Sequence, residues 1–157
     1  MNVEASITVD APPDVVWSVV SNIEDSPKTI SGIDEVEILE RPAQGLLGLK
    51  WRETRTMGGK KATETMWITD VQEGSYYETE ARSHGSIYRS RVEVSEGAGG
   101  TVLKMHFSAE PVSLGARVFS FLFGPLVKVA IKKAFIKDLE DSKAAAEIRA
   151  TRAPAGS

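Results

Sequence analysis

The chain contains no cysteine. That absence excludes disulfides, thiolate nucleophiles and zinc–thiolate sites together, and it fits a reducing compartment, so a cytoplasmic location is the expectation. Histidine is scarce. His84 and His106 stand far apart, without the spacing of a metal site or a catalytic triad, and no metal or cofactor is expected. A basic excess is missing too. With 19 Lys and Arg against 22 Asp and Glu the net charge is −3, whereas a nucleic-acid binder needs cations to displace counterions; nucleic acid is not expected as a partner. Long apolar runs are also absent. The longest uncharged stretch in the apolar C-terminal region is Val118 to Val127, short of the ~20 residues of a spanning helix, so no integral membrane segment is expected. The opening Met1-Asn2-Val3-Glu4 has neither the basic run nor the apolar core of a signal peptide.

What is present suits an ordinary soluble domain: 157 residues, of which 41% are apolar and 26% charged. We read one domain over residues 1–150 and a flexible C-terminal tail over 151–157. Ile7 and Val9 alternate with Ser6 and Thr8, which predicts a first strand. Asp10-Ala11-Pro12-Pro13-Asp14 then opens a helix, with Asp10 available as a cap, proline tolerated in the first turn and Asp14 at the positive helix end. A second short helix or turn is expected around Ile23 to Ile30. From Glu35 to Ala109 the period is two, interrupted by turn residues such as Gly58-Gly59, Gln72-Glu73-Gly74-Ser75 and Gly97-Ala98-Gly99-Gly100. Beyond Glu110-Pro111 the period becomes helical, with apolar residues from Phe119 to Leu139 at three- and four-residue steps. Pro125 lies inside this stretch and predicts a kink or a restart.

The expected fold is therefore α+β, of helix-grip type. A curved antiparallel sheet of about seven strands wraps round a long C-terminal helix, with two short helices after the first strand. Several phrases carry a resemblance to a known family. These are Ile7-Thr8-Val9-Asp10-Ala11-Pro12-Pro13-Asp14-Val15-Val16-Trp17, Pro27 with Gly32-Ile33, Gly48-Leu49-Lys50-Trp51-Arg52-Glu53, Gly99-Gly100-Thr101-Val102, and Asp138-Leu139-Glu140 in the last helix. From Val3 to about Ile148 the chain resembles the START/Bet v 1-like (SRPBCC) superfamily, in particular its polyketide cyclase/dehydrase and lipid-transport branch. The phrases are turns, caps and core positions, so the resemblance implies the fold more than the activity. Relatives often carry tryptophans around Ser26 to Ile30, and this chain has none there.

Parity selects candidate cavity residues. A loop of two residues (Gly58-Gly59) or four (Gly58 to Lys61) puts Trp51, Glu53, Arg55, Ala62, Glu64 and Met66 on one face, expected to look inward. Continuing by apolarity adds Tyr77, Thr79, Ala81, Tyr88, Ser90, Met105 and Phe107. Phe119, Phe123, Leu126 and Ile131 are expected opposite them on the long helix. Glu53, Arg55 and Glu64 are out of place on an apolar face and must pair, reach water or stay near neutrality. In the four-residue register Arg55 faces Glu64; in the two-residue register Glu53 does. Two readings stay open: a salt bridge at the rim of the sheet, or a polar anchor or acid/base pair for a ligand. Lys128, Lys132, Lys133 and Lys137 form a basic patch, which is either a solvated face or a site of transient contact with anionic lipid headgroups.

The leading expectation is binding or carriage of a small hydrophobic molecule, lipid-like or aromatic and polyketide-like, in an internal cavity. The first alternative is an enzyme of cyclase or dehydratase type acting on a polyketide-like substrate, with Glu53 or Glu64 moving a proton. The second is a protein-interaction module working through the long helix.

Overall fold

The computed structural model describes residues 1–152. Alternating side chains along seven segments build one antiparallel sheet: β1 (Asn2–Val9), β2 (Ile33–Glu40), β3 (Lys50–Met57), β4 (Lys60–Gln72), β5 (Tyr76–Ser83), β6 (Ser86–Gly97) and β7 (Gly100–Pro111). Their order across the sheet is β1-β7-β6-β5-β4-β3-β2, so β2 to β7 form a meander and β1 closes against the last strand. Register breaks between Ile33 and Glu35, between Ile38 and Glu40, and between Ile68 and Asp70 interrupt the pairing. Such bulges bend a strand, which helps the sheet to curve. The break in β4 also switches parity: Ile68 is buried before it, and Val71 packs on the core after it.

Between β1 and β2 lie α1 (Pro13–Val20) and the single turn α2 (Ser26–Thr29). Pro13 begins α1, with Asp14 in its first turn and Pro12 at the cap. Asp10 does not cap this helix; its backbone N–H donates to Glu147 at 2.8 Å, so the residue ties the start of the turn to the C-terminal helix. Val16, Trp17 and Val19 face inward and meet Leu103, Val92 and Leu139 in one core cluster.

The last element, α3 (Leu114–Arg152), runs 39 residues through Pro125 as one continuous helix, so of the kink or restart expected there the restart does not occur. At 1.5 Å per residue it is about 58 Å long, against about 43 Å for the 13-residue β4. A helix longer than the sheet cannot pack along its whole length. Its C-terminal half carries the buried residues Asp138, Leu139, Ser142 and Ala146. Polar ties are concentrated there: Lys143 donates to the Thr8 carbonyl, Arg149 to Ser18 Oγ, each at 2.8 Å, and Asp141 accepts from the backbone and hydroxyl of Ser31. The helix includes Thr151 and Arg152, which were expected in a flexible tail; the remainder of that tail, 153–157, lies outside the described residues.

The N-terminal half of α3 corrects the expected helix face. Its half-buried line is Ala116, Ser120, Gly124, Val127 and Ile131, whereas Phe119 and Phe123 are 57% and 45% exposed and Leu126 is 71% exposed. Between Leu114 and Ile131 apolar residues surround almost the whole circumference, so periodicity could not choose a face. Packing chose the small residues. The same contrast predicts stabilities. Leu139→Ala removes a fully buried side chain and is expected to cost about 2–5 kcal/mol in urea denaturation, whereas Leu122→Ala is expected within about 0.5 kcal/mol of the parent.

Candidate functional site

The β3–β4 hairpin sets the site. Met57 pairs with Lys60 across Gly58-Gly59, whose φ angles are +58° and +78°. Two consecutive positive φ values are what a tight two-residue hairpin turn requires, and glycine supplies them without strain. This selects the two-residue register, so Glu53 stands opposite Glu64 and Arg55 opposite Ala62. The four-residue alternative is excluded.

Two carboxylates face to face repel unless each finds a separate partner, and here each does. Glu64 accepts from Ser83 Oγ at 2.8 Å, and His84 Nε2 lies 3.9 Å away. Glu53 accepts from Arg55 Nε at 2.8 Å, two residues along the same strand face. Arg55 then reaches across to the helix. Its Nη2 donates to Asp138 Oδ2 at 2.7 Å and its Nη1 to Asp138 Oδ1 at 3.3 Å, a two-pronged contact matched to carboxylate geometry. The sequence reading missed Asp138 as a site residue, although it stood among the phrases of the family resemblance. Its position one turn beyond Ala134, on the line of Ile131 and Ala134, was the available signal.

All three groups are largely shielded, with side-chain exposures of 24% for Arg55, 9% for Glu53 and 5% for Asp138. Burial pushes the Asp138 carboxyl above its ordinary value; the Arg55 guanidinium pulls it down and Glu53 pushes it up again, leaving the net direction upward. Burial alone would lower Arg55, but the bonds to Asp138 and Glu53 hold its proton more firmly than usual. Nearby, Tyr77 donates its hydroxyl to the Val20 carbonyl at 3.0 Å and packs edge-on against Trp17. Burial, then Glu53 and Asp138, raise its ionisation well above the ordinary phenol.

These groups form one side of a cavity of about 380 Å³ between the concave face of the sheet and α3. Trp51, Glu53, Arg55, Glu64, Met66, Tyr77, Tyr88, Ser90, Met105 and Phe107 all stand in its wall. Thr79 and Ser90 share a hydrogen bond, and Tyr88 stacks on Phe107, which meets Phe135 of α3 edge-on. The helix side is made by Ile131, Ala134, Phe135, Asp138 and Ser142, and α1 with the following loop adds Val19, Val20, Ile23 and Ile30. Phe119 and Phe123 are not in this wall and stay about half exposed, packed on each other; Phe135, absent from the expected set, takes the aromatic place on the helix. The wall also includes the exposed Met57 and Ala62, so the cavity reaches the surface beside the β3–β4 hairpin. Trp51 contributes an indole N–H with no hydrogen-bond partner among the described residues, although the residue is 3% exposed. His84, in the β5–β6 turn at φ +52°, and His106, on the outer face of the sheet, lie outside the wall.

A curved sheet gripping one helix over a hollow is the helix-grip arrangement, and comparison with known proteins agrees. The sequence model of the family described as "Polyketide cyclase / dehydrase and lipid transport" matches residues 1–147. The chain belongs to this family. An aromatase/cyclase from a Streptomyces strain superposes with a TM-score of 0.75 at 19% identity, covering 100% of this chain and 99% of that one. A START superfamily protein from Mycobacterium smegmatis gives 0.68 at 22% identity, with 96% and 97% covered. A Thermus thermophilus protein gives 0.78 at 14% identity, with 95% and 99% covered. At these identities the likeness is one of fold. Among curated proteins, no sequence matches this chain.

The ion-pair cluster makes a direct prediction. Arg55→Met would leave Asp138 and Glu53 shielded without a cation, at an expected cost of about 3–5 kcal/mol near pH 7. A carboxyl whose folded pKa exceeds the reference value of 3.8 binds more protons folded than unfolded. Stability linked to it therefore falls as pH rises through the folded pKa and recovers as pH falls towards 3.8. Urea denaturation should accordingly show a smaller loss in Arg55→Met at pH 5 than at pH 7.5; a loss that grows on acidification would contradict this account.

Proposed function

We propose that the protein binds and carries a small, largely apolar molecule whose polar end is uncharged or cationic. The observation that carries this reading is the charge of the cavity wall. Three carboxylates, Glu53, Glu64 and Asp138, stand in the wall with one guanidinium, which pairs with Glu53 and Asp138 while Glu64 bonds to Ser83, so the polar side of an otherwise apolar hollow holds an excess of negative charge. An anionic headgroup placed there would meet repulsion at low dielectric, while hydroxyl, keto or amine groups would find acceptors in the carboxylates and donors in Tyr88 and Ser90. The volume falls in the lower part of the ~300–1,000 Å³ range of ligand pockets, which suits one compact ligand. Membership of a family described by both cyclisation and lipid transport supports the same class of molecule.

Trp51 stands in the wall and reports on it. Titration with a long-chain alcohol or a neutral polycyclic dye should change tryptophan emission saturably. The carboxylic acid of the same chain should bind at least about tenfold more weakly, a difference of about 1.4 kcal/mol. Ala134→Phe, which fills the helix side of the hollow, should abolish the response while keeping the fold. Absence of saturable binding for every apolar probe, with native mass spectrometry showing no retained molecule, would refute the reading.

A second reading, a cyclase or dehydratase acting on a polyketide-like substrate, is favoured by one feature: burial beside Glu53 raises the affinity of Asp138 for a proton. The Streptomyces neighbour named an aromatase/cyclase belongs to the same fold. In this reading the walls fold the chain and exclude water while a carboxyl at Glu53, Glu64 or Asp138 transfers a proton. At least one of Glu53→Gln, Glu64→Gln and Asp138→Asn should then lower turnover of a poly-ketone substrate by 100-fold or more while leaving its binding intact. Turnover unchanged in all three would remove these groups from the chemistry.

A further inference from the structure

The N-terminal half of α3 presents an outward face that the domain leaves bare. Leu114, Val118, Leu122 and Val129 recur at helical steps on the side opposite Ala116, Ser120 and Val127, and every one of them is exposed. Phe121, at 86% exposed, flanks the same face. Within α3 an 18-residue window reaches a mean hydropathy of 1.6 with none of its residues buried, so by length and composition the helix qualifies as a membrane span. Contiguous exposed apolar surface of this kind marks an interaction site.

Charge identifies the occupant. Residues 114–137 carry five cations, Arg117, Lys128, Lys132, Lys133 and Lys137, and no anion. The rest of the chain then holds 14 cations against 22 anions, a net −8. The segment that, among the described residues, concentrates exposed aromatic and aliphatic side chains is thus also one of concentrated positive charge. A second copy of the chain would set this cationic stretch against itself, which like-charge repulsion disfavours. An anionic bilayer satisfies both properties at once, because it offers an apolar interior under a layer of phosphate.

We propose that the N-terminal half of α3 lies flat on the surface of an anionic lipid bilayer. Its outward apolar side chains enter the headgroup–acyl boundary, and Lys128, Lys132 and Lys133 meet the phosphates. The segment rests on the membrane rather than crossing it. Its uncharged core, Val118 to Val127, spans about 15 Å, half of the ~30 Å hydrocarbon layer, and its inner line is already packed against the domain. The proposal concerns the outer face of the helix and stands whether or not the cavity takes a ligand.

Vesicle flotation of the full chain tests it. Vesicles of phosphatidylcholine with one-third phosphatidylglycerol should carry the protein upward at low salt and release it at high salt, and vesicles of phosphatidylcholine alone should not carry it. Each cation near the surface contributes roughly fivefold, so Lys132→Gln with Lys133→Gln should weaken binding about 25-fold. Leu122→Asn with Val129→Asn should abolish it. Both variants change exposed positions and should keep the parental melting temperature and the parental response to apolar cavity probes. Equal flotation with neutral vesicles, binding that resists high salt as a spanning helix would, or a dimer by light scattering with no vesicle binding would each overturn the proposal. Failure of cavity probes with intact flotation would instead sink the ligand reading alone.

Discussion

A single guanidinium connects the two halves of this fold. Arg55 rises from the end of β3, takes Glu53 beside it and grips Asp138 on α3, so the sheet and the helix are joined in the wall of the cavity. Gly32 packs against the same group; a Cβ there would come within 3.4 Å of Arg55 Nη1, which makes the bare backbone part of the arrangement. An ion pair in this position is not a large source of net stability, because the charges lose hydration when shielded. Its consequence is geometric. The pair holds α3 across the sheet by polar contact, so apolar packing need not fill the space between them.

That division of labour explains why one helix behaves as two. Beyond Asp138, Leu139 and Ala146 are fully buried, and Asp141, Lys143, Glu147 and Arg149 bond to segments near β1, α1 and the start of β2. Before it, Ile131, Ala134 and Phe135 face the hollow, and further still the mostly small Ala116, Ser120, Gly124 and Val127 approach the body of the domain. Small side chains let a helix pass close to a sheet without interdigitating with it. Large apolar residues of that half such as Leu114, Phe121, Leu122 and Val129 are exposed, and nothing among the described residues covers them.

The sheet was legible in the sequence because its signals are local and repeated. Alternation from Trp51 to Phe107 requires only that one face be buried, and Gly58-Gly59 specifies the turn that sets the register. The cavity wall on the strand side follows from that parity. The helix side was less legible for a physical reason. Where apolar residues occupy most of the circumference, the 3.6-residue period carries no information about direction, so Phe119 and Phe123 looked as eligible as Phe135. Asp138 was hidden differently. Its partner lies 83 residues away, and a carboxylate on a helix is read as solvated until the opposing cation is placed.

The same cluster constrains what the hollow can accept. Arg55 has both prongs on Asp138 and its Nε on Glu53, so a ligand carboxylate would have to displace an internal acid to reach the one cation in the wall. Displacement would leave a shielded carboxylate unpaired, a cost comparable to the gain from the new contact. Outside, the balance is reversed, since the exposed half of α3 is cationic within an acidic protein. The net charge of −3 thus combines +5 on residues 114–137 with −8 on the rest of the chain, of which the cavity wall contributes −2. On the proposed reading, an anionic surface that attracts the helix would present molecules whose charged headgroups the cavity disfavours, so the ligand would be an uncharged or cationic solute of that surface.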